Sequence, residues 1–182
     1  MSQMVLAVFS NRDNADSAVT ELQTQGFNPK DISVIMRNPD DSQKVVTTQG
    51  GSKMAEGSFA GATTGGLVGA LAGLLVGVGA IIIPGIGGIL IGGPIAAALG
   101  LTGAAATTIS GAVTGVLAGG LVGALASLGL PENEARIYEN KIREGAVLIA
   151  VPVTNEQSQT AVASLQKFHP DQLDTVNSTV NS

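Results

Sequence analysis

The residues able to do chemistry are few, and their spacing builds no site. His169 is the single histidine and there is no cysteine. Thiolate nucleophiles, disulfides and thiolate metal sites are therefore excluded, in keeping with a reducing compartment. His169 stands between Phe168 and Pro170 at an expected helix end, where a cation suits the helix dipole. No partner for a metal site accompanies it, so its role reads as structural or at the surface. Asp40-Asp41 reads as an exposed turn, and Glu132, Glu134, Glu139 and Glu144 as a solvated helix face.

Gly50-Gly-Ser-Lys53 lacks the Gly-x-x-x-x-Gly-Lys-[Ser/Thr] spacing of a phosphate loop, and no apolar strand leads into it. Gly85-x-Gly87 lacks the third glycine of a dinucleotide fingerprint. No catalytic, cofactor-binding or metal residue is therefore assigned, no cofactor is expected, and the chain is read as non-enzymatic. The net charge of −5 provides no basic surface, which argues against nucleic acid as a partner. A small-molecule ligand cannot be named from these residues.

The charges are segregated. All 9 basic and 14 acidic residues fall within 1–56 or 132–182, and none lies between Glu56 and Glu132. The start, Met1-Ser-Gln-Met-Val-Leu-Ala-Val-Phe-Ser10, has no cationic region ahead of a strand-length apolar run, so no signal peptide is read there.

In the N-terminal flank (1–37), residues 4–9 read as a buried strand. A helix over 13–25 follows, with Ala15, Ala18, Val19 and Leu22 inward, Asp13 or Asn14 as cap and Gly26 as terminator. Residues 32–36 read as a second strand, and 38–57 as a polar, Gly-rich linker. In the C-terminal flank (131–176), Pro131 opens a helix with Ala135, Tyr138 and Ile142 on one face and a Glu139/Arg143 pair, ending at Gly145. A strand over 146–151 follows. Thr154 and Gln157 then suggest a capping box for a helix to about Phe168, with Ala161, Val162 and Leu165 inward. A short strand lies near 173–176, and 177–182 reads as a tail. The two halves together give an α+β class. They match a ferredoxin-like split βαβ pattern, one antiparallel sheet with helices on one face.

The charge-free middle, 58–130, reads as an inserted Gly-zipper helical membrane hairpin. Stretches 58–82 and 104–130 each exceed the roughly 20 residues that span a bilayer core. Gly61, Gly65, Gly69, Gly73 and Gly77 recur every fourth residue, as do Gly111, Gly115, Gly119, Gly123 and Ser127. Each stripe falls near one helix face, where it lets two backbones approach closely in lipid. The string Gly-Gly-Leu-Val-Gly-Ala-Leu-Ala occurs at both 65–72 and 119–126. Thr63, Thr64, Thr107, Thr108, Ser110 and Thr114 read as hydrogen-bonding glue between helices. Ile81-Ile-Ile-Pro84 breaks the helix, and the segment 85–101 reads as tilted or re-entrant, with a third crossing as its competitor. Flanks that share one sheet require an even number of crossings. Lys53, Arg136, Lys141 and Arg143 near the insert ends place both termini in the cytoplasm.

Val5-Leu-Ala-Val-Phe-Ser, then Ala15, Ala18, Val19 and Leu22, Gly26-Phe27 and Asp31-Ile-Ser-Val, resemble the general stress protein (heat-induced stress) domain family. Ile83-Pro-Gly-Ile-Gly-Gly, Gly-Gly-Pro94-Ile-Ala-Ala-Ala-Leu and Leu130-Pro-Glu-Asn-Glu-Ala-x-x-Tyr138, ahead of Gly145-Ala-Val-Leu-Ile-Ala-Val, are similar to its low-temperature-induced, Gly-rich membrane proteins. The resemblance covers about residues 4–153. It implies a stress-associated, membrane-linked protein and brings no catalytic residue or ligand. The expectation is an integral membrane protein that forms homo-oligomers in the bilayer. The alternatives are a permeation or transport protein, and a soluble self-assembling scaffold that buries the apolar segment.

Overall fold

The computed structural model describes residues 3–37, 71, 80–83, 89–98, 114–127 and 129–177. The strands are β1 (Gln3–Phe9), β2 (Ser33–Arg37), β3 (Ala80–Ile83), β4 (Ile89–Gly92), β5 (Val147–Val153) and β6 (Gln172–Asn177). The helices are α1 (Arg12–Thr24), α2 (Pro94–Ala98), α3 (Thr114–Ser127), α4 (Glu132–Arg143) and α5 (Asn155–Gln166), with a 3₁₀ turn at Pro29–Asp31. The strands form one six-stranded sheet in the order β3-β4-β2-β5-β1-β6, every neighbouring pair antiparallel. The architecture is α+β.

Side chains alternate between the sheet faces with a period of two. Val5, Ala7 and Phe9 of β1, with Val147, Ile149 and Val151 of β5, pack on one face against Ala15, Ala18, Val19 and Leu22 of α1 and Leu165 of α5. Met4, Leu6 and Val8, with Leu148 and Ala150, point to the other. There they meet Ala135, Tyr138 and Ile142 of α4 and Leu121, Ala124 and Leu125 of α3. Helices thus cover both faces, which corrects the expectation that they lie on one. The reason is legible in β1 and β5. Both are apolar at nearly every position, and a strand buried on both faces shows that continuous run where a half-exposed strand alternates.

Helix ends follow local chemistry. The Asn11 side chain, in place of the expected Asp13 or Asn14, caps α1 by accepting the Asp13 N–H at 2.8 Å. Past the other end, Phe27 N–H reaches back to the Leu22 carbonyl at 3.0 Å around Gly26. The same arrangement closes α4, where Ala146 N–H donates to the Lys141 carbonyl at 2.9 Å around Gly145. Thr154 and Gln157 form the reciprocal capping box of α5.

The apolar middle keeps part of the expected helices, at Leu71 and over 114–127, and departs from them elsewhere among the described residues. Residues 80–83, the expected end of a helix over 58–82, are strand β3. Three consecutive isoleucines ahead of Pro84 explain this, because β-branched side chains favour the pleated conformation and proline stops a helix. Within 85–101, β4 pairs with β2 and β3, and α2 follows. The hairpin therefore extends the sheet at its β2 edge. In the stretch 104–130, α3 runs over 14 residues and is interrupted at Gly120, whose φ of 58° and ψ of −150° are not helical. Among the described residues, no helix is long and apolar enough to cross a membrane.

Candidate functional site

Four polar arrangements stand out, and each fastens one element to another. The first fixes the apolar insert to the sheet. Ser33 is buried in β2, and its Oγ accepts the backbone N–H of Ile95 at 3.1 Å. Gly93 precedes it with φ +95°, and a Cβ at that position would lie 2.5 Å from the Ile32 carbonyl oxygen and 2.7 Å from Ser33 Cα. Only glycine lets the chain turn from β4 into α2 at this distance from β2. On the opposite face the fully buried Leu71 joins the α1 core, and its N–H donates to Asp16 Oδ1 at 3.0 Å.

The second arrangement lies between α4 and the edge strand β6. Tyr138 is fully buried, and its hydroxyl donates to Asp174 Oδ2. The Gln172 side-chain amide donates to the same oxygen at 2.9 Å. Burial first, and then the Asp174 carboxylate, raise the Tyr138 pKa far above that of a free phenol. So strongly stabilised a neutral phenol is a clasp and a poor proton donor near neutral pH.

Thirdly, the Ser10 backbone N–H donates to Asp171 Oδ2 at 2.7 Å, the Ser10 hydroxyl donates to the same oxygen, and Asp171 N–H returns to the Val8 carbonyl at 2.8 Å. His169 is nearby in sequence, exposed, with φ 53° and its backbone N–H on the Gln166 carbonyl at 3.1 Å. Among the described residues no side-chain hydrogen bond reaches its imidazole. Asp171 joins Ser10, distant in sequence, and has His169 two residues before it, yet the three form no relay among the described hydrogen bonds. Ser10 and Asp171 tie the end of β1 to the start of β6.

The fourth is an open groove of about 440 Å³ between α1 and α5, lined by Glu21, Gln25, Gln159, Thr160, Ser164 and Lys167 among others. Gln25 donates to Glu21 Oε1 at 3.1 Å, and Lys167 Nζ approaches the same oxygen at 3.3 Å. The Gln25 amide first, and then Lys167, hold the Glu21 carboxyl below its ordinary range. The Ser164 hydroxyl is committed to the Thr160 carbonyl at 2.8 Å. Among these lining groups no hydroxyl is paired with a base.

The residues singled out in the sequence are distributed as follows. Glu132 pairs with Arg136 at 2.8 Å on the exposed face of α4, and the mostly covered Glu139 accepts from the exposed Arg143 Nε at 2.9 Å. Among the described residues, no group of three His, Cys, Asp or Glu side chains could hold a metal ion. Gly115, Gly119, Gly123 and Ser127 lie on α3, and the break at Gly120 falls between the second and third of them. Thr114 begins the same helix. Gly61, Gly65, Gly69, Gly73, Gly77 and Gly111 lie outside the described residues, as do Asp40-Asp41, Gly50–Lys53, Gly85–Gly87, Thr63, Thr64, Thr107, Thr108 and Ser110. Sequence reasoning missed Ser33, Gly93 and Asp174. Ser33 interrupts the otherwise apolar 32–36, and a serine inside a buried strand is a signal that some backbone group needs an acceptor there.

Residues 4–82 match the family described as the heat induced stress protein YflT domain. This is the general stress family that the N-terminal motifs resemble, and the match covers less than half of the chain. The match spans β1, α1, β2 and most of β3, and stops before β5 and β6, which complete the sheet. No curated protein and no solved structure matches the chain.

Proposed function

We propose that this chain is a non-enzymatic, stress-associated protein that carries an apolar insert into a lipid bilayer and self-associates there, with its α+β domain held at the cytoplasmic surface. One observation carries the reading. The stretch between Glu56 and Glu132 contains no ionisable Asp, Glu, Lys or Arg, and it leaves from and returns to a single sheet. Such a stretch cannot supply an ordinary soluble surface. Flanks that share one sheet call for an even number of crossings in this reading. The order β2-β5-β1-β6 of the flank strands, joined through α1 and α5, supports a ferredoxin-like split unit for the domain. The non-enzymatic reading rests on residue chemistry: no cysteine, a single histidine, and hydroxyls and carboxylates engaged in fastening elements together.

A second reading has its own support. Ile89, Ile91, Ile95, Leu121 and Leu125 pack into the core of the second sheet face, so part of the insert is satisfied by protein. In that reading the protein is a soluble scaffold whose copies bury the remaining apolar surface against one another. Alkaline carbonate extraction of cell membranes, followed by flotation on a density gradient, separates the two. Flotation with lipid is the expected result. Recovery as large particles that sediment without lipid overturns the membrane reading in favour of the scaffold.

A further inference from the structure

The break at Gly120 gives α3 an unusual property. Its φ of 58° and ψ of −150° fall in a region that essentially only glycine occupies. The break leaves Leu121, Ala124 and Leu125 buried on the second sheet face, packed with α4. The same residues belong to a stretch, 104–130, that contains no charge and is long enough as a straight helix to span a bilayer core. One set of side chains thus serves two incompatible surroundings. When α3 lies on the domain it cannot be in lipid, and its departure opens the core it shares with α4 and with Met4, Leu6 and Val8 of β1, while α4 still rests on β2 and β5.

We propose that α3 is a two-position element, broken at Gly120 and packed on the domain in water, straightened and transferred into a lipid bilayer when one is present. The proposal rests on the membrane reading above and adds the step that controls it. In water the shared apolar core holds α3 down, because opening it exposes hydrophobic surface. A bilayer removes that penalty for α3, and a continuous helix satisfies every backbone group within the hydrocarbon. A ligand shifts such an equilibrium only through its different affinity for the two states, and here lipid has that difference.

Gly120 makes the direction testable. Alanine at this position disfavours the broken conformation and favours the straight helix, a shift in the equilibrium on the order of tenfold or more. Alanine at Gly123 raises helix propensity without touching the break. The purified full chain, Gly120→Ala and Gly123→Ala are each mixed with limiting phosphatidylcholine vesicles and floated. The expected result is several-fold more Gly120→Ala than wild type in the lipid fraction, with Gly123→Ala near wild type. If wild type floats and Gly120→Ala floats no better, or both variants rise equally, the two-position element is overturned. If none of the three floats, the membrane reading itself fails and this inference fails with it.

Should Gly120→Ala not fold without lipid, a single cysteine at Val8→Cys in the otherwise native, cysteine-free chain gives a second readout. Its labelling by an impermeant thiol reagent should rise at least severalfold on adding vesicles. A chain that floats while this cysteine stays protected overturns the proposal.

Discussion

Replacing Gly93 by alanine tests whether the apolar insert is built into the sheet as described. The added Cβ would meet the Ile32 carbonyl oxygen at 2.5 Å, Ser33 Cα at 2.7 Å and Ser33 Oγ at 2.9 Å. Two of these are backbone atoms, of Ile32 just before β2 and of Ser33 at its start, and cannot swing aside. Gly145 supplies the control, with φ +107° and nothing within 4 Å of the place an alanine methyl would take. Gly145→Ala should therefore show only the left-handed backbone strain of about 1–2 kcal/mol, offset by about 0.4–1 kcal/mol from a stiffer unfolded chain. Gly93→Ala carries the same balance plus about 1–3 kcal/mol for overpacking. It also loses the buried Ile95 N–H bond to Ser33, about 1 kcal/mol. The sums are about 1 kcal/mol for Gly145→Ala and about 4 kcal/mol for Gly93→Ala. Urea unfolding followed by far-ultraviolet circular dichroism separates them. With a slope of about 2 kcal/mol per molar urea, the midpoints fall by about 0.5 M and about 2 M. Amide exchange in Gly93→Ala should accelerate first in β2 and β4. Equal midpoints for the two variants would refute the close approach of Gly93 to β2, and with it the attachment of the hairpin.

Two further outcomes are expected in the same assay. Tyr138→Phe removes the hydroxyl that donates to Asp174 and should cost about 1.5 kcal/mol near pH 7, the lower end for a bond to a charged acceptor, since Gln172 still serves that carboxylate. Its pH dependence has a definite sign. The Tyr138 pKa is raised on folding, so this contribution is complete below about pH 10 and is lost as pH climbs, by about 1.4 kcal/mol per unit. The wild-type minus Tyr138→Phe difference should therefore decline above about pH 10, and a flat difference would show that the phenol is not held neutral. Thr154→Ala opens the capping box of α5 and should cost about 1 kcal/mol; no change in the midpoint would mean that α5 is held by Ala161 and Leu165 alone.

The flanks were legible because their signals are local and agree with one another. The apolar run at Met4–Phe9, the three- and four-residue spacing of Ala15, Ala18, Val19 and Leu22, and the Thr154/Gln157 pair each specify one kind of element. The second layer of helices was misread although its sign was present, since β1 and β5 are too uniformly apolar for a sheet with one wet face. The middle was misread for a different reason. Glycine spacing and lack of charge describe what a segment can do in lipid, and they carry little about what a β-branched run does beside an unpaired strand edge. Ile89–Ile91 had such an edge available in β2, and Ile81–Ile83 then had one in β4. The fastening residues were the least legible. Ser33, Gly93 and Asp174 gain their meaning only from partners distant in sequence.

The repeated octapeptide bears on what the insert is for. Its seventh residue is Leu71 in the first copy and Leu125 in the second, and both are buried. Leu71 enters the core between the sheet and α1, however, while Leu125 enters the core on the opposite face, with α4. Identical strings therefore meet different partners: Asp16, Ala18 and Leu22 have no counterparts in Tyr138 and Leu130. A sequence shaped to fit one docking surface would not fit a second of other composition, because close packing is sensitive to a single methylene. What the two copies share is small size, apolarity and a four-residue glycine spacing, properties that suit any apolar neighbour and select none. The repeat therefore encodes neither docking position by itself; burial of Leu71 and of Leu125 is decided by the partners that each meets on its own face of the sheet.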